Sequence, residues 1–174
     1  MAAHDRAAAP SPWIERHLGL VRAGGRILDV AAGGGRHTQL AIARGYRVVA
    51  IDRDVAALAV IPSAEIVAHD LEVGAPWPSS GSFDGIVVTN YLFRPLLAAL
   101  PGLLAPGGAL LYETFARGNE RFGKPSNPDF LLRPGELLDV VRGRLRVIAY
   151  EDLTVTDPRP ACVQRIAAVR ETIV

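Results

Sequence analysis

The chain has 174 residues, a formal net charge of +1, 49% hydrophobic and 21% charged residues, and one cysteine. That length corresponds to a single domain (residues 1–174) burying about 70% of its unfolded surface, and the composition is too apolar for a disordered chain. No apolar run reaches the roughly 18 residues of a membrane-spanning helix, and the balanced charge lacks the footprint of a general nucleic-acid binder.

Met1 to Ser11 is Ala-rich and lacks the basic and apolar blocks of a signal peptide, so residues 1–11 are expected to form a flexible terminus. Ser11-Pro12 then introduces a helix over Trp13 to Val21, with serine as cap and proline in the first turn. Arg26 to Ala31 is a buried strand, His37 to Arg44 a helix stopped by Gly45, and Arg47 to Asp52 a second strand. Val55 to Val60 is a short helix cut by Pro62, and Ala64 to His69 a third strand. A loop rich in Pro, Ser and Gly precedes a fourth strand at Phe83 to Thr89. Arg94 to Leu104 reads as an apolar helix, and Ala109 to Thr114 as a fifth strand. Residues 115–133 show no period and are long for a plain connection, which marks a substrate-side loop. Pro134 to Val141 is a short helix, followed by strands at Leu145 to Val155 and Cys162 to Arg170. The four residues Asp157 to Pro160 are too few for a crossover helix, so the last two strands pair antiparallel. The fold class is therefore α/β: a three-layer, doubly wound, mostly parallel seven-stranded sheet with a C-terminal antiparallel hairpin.

In such sheets ligands sit beyond the carboxyl ends of the strands. The first turn there reads Asp29-Val30-Ala31-Ala32-Gly33-Gly34-Gly35-Arg36-His37. One glycine suffices for a tight turn, whereas three in a row let the backbone approach a ligand. The dinucleotide fingerprint G-x-G-x-x-G fails, because the sixth position from Gly33 is Thr38. Strand two ends in Asp52, where an acid can hold two ribose hydroxyls, and strand three is followed by Asp70, where one can accept from an adenine amino group. A competing reading makes Asp70 a turn cap. Acids after the first three strands suit a cationic, phosphate-free adenosine better than a pyrophosphate.

The runs ILDVAAGGGRHT, VVAIDRD, HDLE and FDGIVVTNYL resemble the successive motifs of class I S-adenosylmethionine-dependent methyltransferases, over about residues 25 to 170. The segment YETFARGNERFGKPSNPDFLLRPGEL is similar to small bacterial methyltransferases of the tellurite-resistance type. The family's usual acid-x-Gly-x-Gly-x-Gly has Asp29, Gly33 and Gly35 in place but Ala31 where its first glycine stands. The resemblance implies S-adenosyl-L-methionine as cofactor, a Rossmann-like methyltransferase fold and an enzyme. It places the backbone of Ala31, Ala32 and Gly33 under the methionine part, with Asp29 near its amino end, and counts Gly35 among the cofactor-binding residues. Asp52 would hold the ribose, Arg53 flank the adenine, and Asp70 and Leu71 meet its edge. Thr89 and Asn90 would stand beside the sulfonium and its methyl group.

Methyl transfer from a sulfonium depends chiefly on alignment, so a general base is optional. Candidates around the acceptor are Asn90, Tyr91, Arg94 and Tyr112, with Phe115, Asn119, Phe122 and Asn127 added by the loop. Tyr91 and Phe122 are read as pocket walls, and Arg94 or Arg133 as an anion clamp. The competing reading makes the aromatics core or lid packing and leaves the arginines solvated or paired with Glu113 or Glu120. His37 is read as a cap or surface residue.

Thr89-Asn90-Tyr91-Leu92 lacks the two prolines of amino-directed nucleic-acid methyltransferases. Cys162 is expected to be a small buried hydrophobe in the hairpin rather than a nucleophile. Residues 120–146 hold six basic and four acidic side chains, a weak patch at most, and the four scattered histidines suggest no metal site. The expectation is a small-molecule acceptor and no membrane partner, in a cytoplasmic protein. The single cysteine suits a reducing compartment, and 18 arginines against one lysine suggest a GC-rich bacterial genome. Two other functions share the fold: a nicotinamide-dependent oxidoreductase, and a non-catalytic module that binds an adenosine cofactor.

Overall fold

The computed structural model describes residues 8–74 and 81–172. The first seven residues of the expected flexible terminus, and residues 75–80 of the Pro/Ser/Gly-rich loop, lie outside that range.

Seven strands form one sheet: β1 Arg26–Val30, β2 Arg47–Asp52, β3 Ala64–Ala68, β4 Phe83–Thr89, β5 Leu104–Phe115, β6 Arg146–Val155 and β7 Ala161–Val169. Their spatial order is β3-β2-β1-β4-β5-β7-β6. The first five pair in parallel, and β7 runs antiparallel to both β5 and β6, as the expected hairpin requires. In register, Val30 lies beside Ile51 and Val88, Asp52 beside Ala68, and Thr89 beside Glu113. The carboxyl ends of the parallel strands thus finish at one level, and the acids just beyond them share one edge.

Both faces of the sheet are covered, which is why β1, β2 and β4 are almost continuously apolar. On one face α1 (Pro12–His17) and α2 (Arg36–Ala43) bring Trp13, Ile14 and Ala41 onto Ile27, Val87 and Leu111. On the other, α3 (Arg94–Leu97) and α4 (Glu136–Val141) set Leu97, Leu137 and Val141 against Leu28, Val30, Ile86 and Val88. Ile27 and Leu28 point to opposite layers because strand side chains alternate. Burying a leucine or isoleucine of this kind contributes about 1.5–3 kcal/mol.

Four expectations need correction. The expected helix over Val55 to Val60 is a run of turns, with one helical bond from Ala59 N–H to the Val55 carbonyl. So short a segment barely offsets the cost of nucleation, and Pro62 cannot donate the next bond. Leu58 and Ile61 are nevertheless buried against Ala50. The expected helix over Arg94 to Leu104 breaks after Leu97 into a 3-10 turn at Leu100–Leu103. Pro101 is the cause, because its ring clashes with the carbonyl four residues earlier. β5 then starts at Leu104, five residues before the expected strand. The N-terminal helix is α-helical only to His17 and ends in a 3-10 turn at Leu18–Leu20.

Candidate active site

A cleft of about 440 Å³ opens at the carboxyl ends of β1 to β4. Ala31, Asp52, Arg53, Asp70 and Leu71 line one side, and Asn90, Tyr91 and Phe130 the other, with His69 and Glu72 between them. A second chamber of about 250 Å³ continues past Asn90 and Tyr91. Its walls are Leu92, Thr114, Phe115, Pro125 and Phe130, and it shares Glu72 with the cleft.

The glycine turn divides its labour. Gly35 is the N-cap of α2 at φ +80, and a Cβ there would collide with Ile61 and Leu58, so it serves packing and backbone geometry. Gly33 has φ +54, and neither Gly33 nor Gly34 has any neighbour in the space a Cβ would occupy. Ala31 takes the same left-handed conformation at φ +52, a region that glycine enters freely and alanine does not. Ala32 donates its N–H to the Ile51 carbonyl and ties the turn to β2.

Asp52 accepts the Gly33 N–H at 2.8 Å on one carboxylate oxygen and the Asp54 N–H at 2.9 Å on the other. Each oxygen keeps a lone pair, so the group is fixed in place and still able to accept from a ligand hydroxyl. Asp70 accepts the Glu72 N–H at 2.9 Å while lining the cleft, so it is both a turn cap and a cleft acid. Asp29 is 3% exposed and does not open onto the cleft. Its carboxylate accepts the Thr38 hydroxyl at 2.6 Å and braces β1 against α2. Burial pushes its pKa up to about 6, against the opposing hydrogen bonds from Thr38.

Beneath the turn lies a polar network that the sequence reading did not anticipate. His37 is 4% exposed, which corrects its reading as a cap or surface residue. The Ser11 N–H donates to its Nε2 at 3.0 Å, so Nε2 is unprotonated. The proton therefore sits on Nδ1, which donates to the Thr89 hydroxyl at 3.2 Å. Burial first, and the Arg36 charge second, lower the His37 pKa to about 4. Ser11 itself is 5% exposed, caps α1 and donates its hydroxyl to Glu113 at 2.6 Å. The expected flexible terminus is thus anchored by its eleventh residue. Glu113 in turn accepts from Arg165 at 3.0 Å.

The acceptor-side candidates separate. Tyr91 lines both chambers; burial first, then the nearby Glu72 carboxylate, raises its pKa. Asn90 lines both as well and holds φ +52, with its N–H on the Glu113 carbonyl. Tyr112 is 1% exposed and donates its hydroxyl to the Tyr91 carbonyl at 2.6 Å, so it supports Tyr91 from behind. Arg94 is held as a strut. Its guanidinium donates twice to Glu136 and once each to the carbonyls of Asp129 and Leu131. Arg133 also donates to Glu136, which corrects the anion clamp and the alternative pairing with Glu113 or Glu120. Burial opposes ionisation of Glu136, but hydrogen bonds from Arg94 and Arg133 outweigh it and hold its pKa at about 2.

Of the four loop candidates Phe115, Asn119, Phe122 and Asn127, Phe115 alone lines the second chamber. Asn119 is buried and divides its amide between the Pro125 carbonyl and the Cys162 N–H. Asn127 caps Asp129, and Phe122 lies under the Arg121 guanidinium. His69, Glu72, Leu92, Thr114, Pro125 and Phe130 are wall residues that had been given no role. Glu72 stood inside the HDLE run, two residues after a recognised acid, whereas Phe130 carried no local signal. Cys162 is a buried free thiol in β7, as expected. Among the described residues no cluster of three metal-ligating side chains occurs, and no helix is long and apolar enough to cross a membrane.

No family model and no curated protein matches the chain. Solved structures do. An S-adenosylmethionine-dependent methyltransferase from Mesorhizobium loti is 20% identical with a TM-score of 0.71, over 94% of this chain and 99% of that one. The N-methyltransferase NodS from Bradyrhizobium japonicum WM9 is 17% identical with a TM-score of 0.67, over 91% and 96%. A TehB-like S-adenosylmethionine-dependent methyltransferase from Corynebacterium glutamicum is 23% identical with a TM-score of 0.62, over 86% and 82%. The chain therefore has the Rossmann-like fold of solved S-adenosylmethionine-dependent methyltransferases.

Proposed function

We propose that this protein is an enzyme that transfers a methyl group from S-adenosyl-L-methionine to a small-molecule acceptor. The observation that carries the reading is the cleft itself: Ala31 of the glycine turn and two fixed acids, Asp52 and Asp70, line it together, and the uncrowded Gly33 is hydrogen-bonded to Asp52. These residues fit the cofactor, which has hydroxyls and an amino group to donate, a positive sulfonium, and no phosphate. Structures sharing the fold support it, since NodS and the glycopeptide N-methyltransferase MtfA were solved with S-adenosylhomocysteine bound. The nicotinamide reading gains no such support, because the Gly33 N–H that a pyrophosphate would use already donates to Asp52. A cytoplasmic setting is supported by the free thiol of Cys162.

In this reading Ala31, Ala32, Gly33 and Gly35 would cradle the methionine part, Asp52 the ribose, and Arg53, Asp70 and Leu71 the adenine. Asp29 would act through the turn it braces. When bound, the cofactor supplies an activated methyl whose carbon–sulfur bonding pair leaves to sulfur as the acceptor's lone pair bonds carbon. The chain's part is positional. His37 fixes the Thr89 hydroxyl at the end of β4, and Tyr112 fixes Tyr91, while Asn90 and Tyr91 border both chambers. Arg94 holds the chamber's far wall through the carbonyls that flank Phe130.

Calorimetry with S-adenosylhomocysteine tests the reading. Binding is expected in the micromolar range, and its absence at millimolar ligand would reject the proposal. Asp52→Ala removes two charge-assisted acceptors and should weaken binding about a hundredfold. An unchanged affinity would place the ribose elsewhere.

A further inference from the structure

Three features of the second chamber bear on what it accepts. Its walls are predominantly apolar and include three aromatic rings, those of Tyr91, Phe115 and Phe130, with Leu92 and Pro125. Among the described residues Glu72 is the only charged side chain that lines it, and no arginine or lysine does. The arginines nearest in the chain order, Arg94 and Arg133, direct their guanidinium groups at Glu136 and at loop carbonyls. The chamber is thus apolar, ring-lined and negative at its mouth.

That combination sorts nucleophiles. A phenolate, carboxylate or thiolate would enter beside Glu72 with no arginine or lysine among the described lining residues of the chamber to balance it, and repulsion at low dielectric is costly. A neutral amine gains instead: its N–H donates to the Glu72 carboxylate while its lone pair stays free. A flat ring system suits the aromatic walls, because Phe130 is 52% exposed and loses that apolar area to a ligand stacked on it.

We propose that the second chamber binds a flat aromatic amine, with Glu72 accepting the amine N–H and Phe130 covering the ring. The proposal rests on the methyl-transfer reading for its biological meaning, but the chamber's selectivity is a property of its own lining. It also replaces the anion clamp expected at Arg94 or Arg133 with an anchor of the opposite sign.

A shape-matched probe set tests it: 6-aminoquinoline, 6-hydroxyquinoline and quinoline-6-carboxylate, titrated calorimetrically at pH 7 with and without saturating S-adenosylhomocysteine. The amine should bind at least about tenfold tighter than the carboxylate, with the hydroxyl compound between them. Glu72→Gln should weaken the amine about tenfold and narrow its lead over the carboxylate, both with and without S-adenosylhomocysteine. Phe130→Ala should weaken all three probes by a similar factor, and both side chains are exposed enough for the variants to fold. Equal or tighter binding of the carboxylate, no binding of the amine, or an amine affinity indifferent to Glu72→Gln would each overturn the proposal. If the amine binds selectively while S-adenosylhomocysteine does not bind, the chamber assignment stands and the methyl-transfer reading fails. If the cofactor product binds and the amine does not, the reverse holds.

Discussion

The turn after β1 and the loop between β5 and α4 border the same cleft, yet they are held by different means. The turn, residues 29–38, is short and held by backbone bonds, by glycine conformations and by two buried titratable groups, Asp29 and His37. The loop, residues 116–132, is long and held by side chains from distant parts of the chain. Arg94 reaches Asp129, Leu131 and Glu136, while Asn119 fastens to the β7 backbone at Cys162. A bridge between Ala116 and Leu132 closes its base. A binding surface made of backbone tolerates side-chain change at most positions, whereas one made of long-range side-chain contacts can be retuned by a few substitutions. The cofactor side belongs to the first kind, and the acceptor side to the second.

The largest expected effect breaks the turn through its protons. His37 has its folded pKa lowered to about 4 from 6.5, so its contribution is present above pH 6.5 and lost as pH falls toward 4. Asp29 has its folded pKa raised from 3.8 to about 6, so its contribution is present below pH 3.8 and lost as pH rises through 6. Each shift corresponds to about 3 kcal/mol, and the two oppose one another between pH 4 and 6. The parent protein should therefore show little net pH dependence from this pair in that window. Asp29→Asn, which keeps an acceptor for Thr38, unmasks His37: urea stability should fall by about 3 kcal/mol from pH 6.5 to 4. His37→Gln unmasks Asp29, and stability should rise as pH falls from 6 to 4. Parallel curves for the parent and both variants would show that neither buried group titrates as its surroundings dictate.

The next effect breaks the loop and should leave the turn untouched. The Glu136 side chain is 7% exposed, and Arg94→Ala removes the partner that donates to both of its oxygens. Leaving that carboxylate with Arg133 alone should cost about 2 kcal/mol, read as a lower urea midpoint. Arg142→Ala is the matched control, since its pair with Asp139 is 76% and 68% exposed and should matter by under about 0.5 kcal/mol. Arg94→Ala should also free the segment around Phe130, yet shift S-adenosylhomocysteine affinity by less than about twofold. A large loss of cofactor affinity would mean that the two regions are one unit.

The same contrast explains what was legible beforehand. The strand order, the hairpin and the acids at Asp52 and Asp70 follow from local signals: apolar runs, glycines at fixed offsets, and a connection too short for a helix. His37 was misjudged, and the anchoring of Ser11 beyond its expected cap was missed, because their partners, Thr89, Glu113 and each other, lie 26 to 102 residues apart. Arg94 was misread for a similar reason, because its carboxylate partner stands 42 residues away on α4. Phe130 sits in an aperiodic stretch, so nothing local says which way its ring points. Tyr112 looked like a site residue because it ends a strand beside the cleft. The register with Val88 instead turns it into the core, where its hydroxyl meets the Tyr91 carbonyl.

The smallest effect concerns the one place where the turn departs from its own logic. Ala31 holds φ +52 where glycine would be unstrained, and its side of the turn lines the cleft. Left-handed backbone costs an L-residue about 1–2 kcal/mol, whereas glycine costs about 0.4–1 kcal/mol in unfolded-chain entropy. Ala31→Gly should therefore stabilise the protein by up to about 1 kcal/mol, raising Tm by about 2–4 °C. Gly35→Ala is the opposite case, because at φ +80 its Cβ would also collide with Ile61 and Leu58. If Ala31→Gly raises Tm and leaves S-adenosylhomocysteine affinity unchanged, the methyl group is only a source of strain. If it raises Tm and weakens binding, that Cβ is part of the cradle, and the strain at Ala31 is retained because it shapes the site.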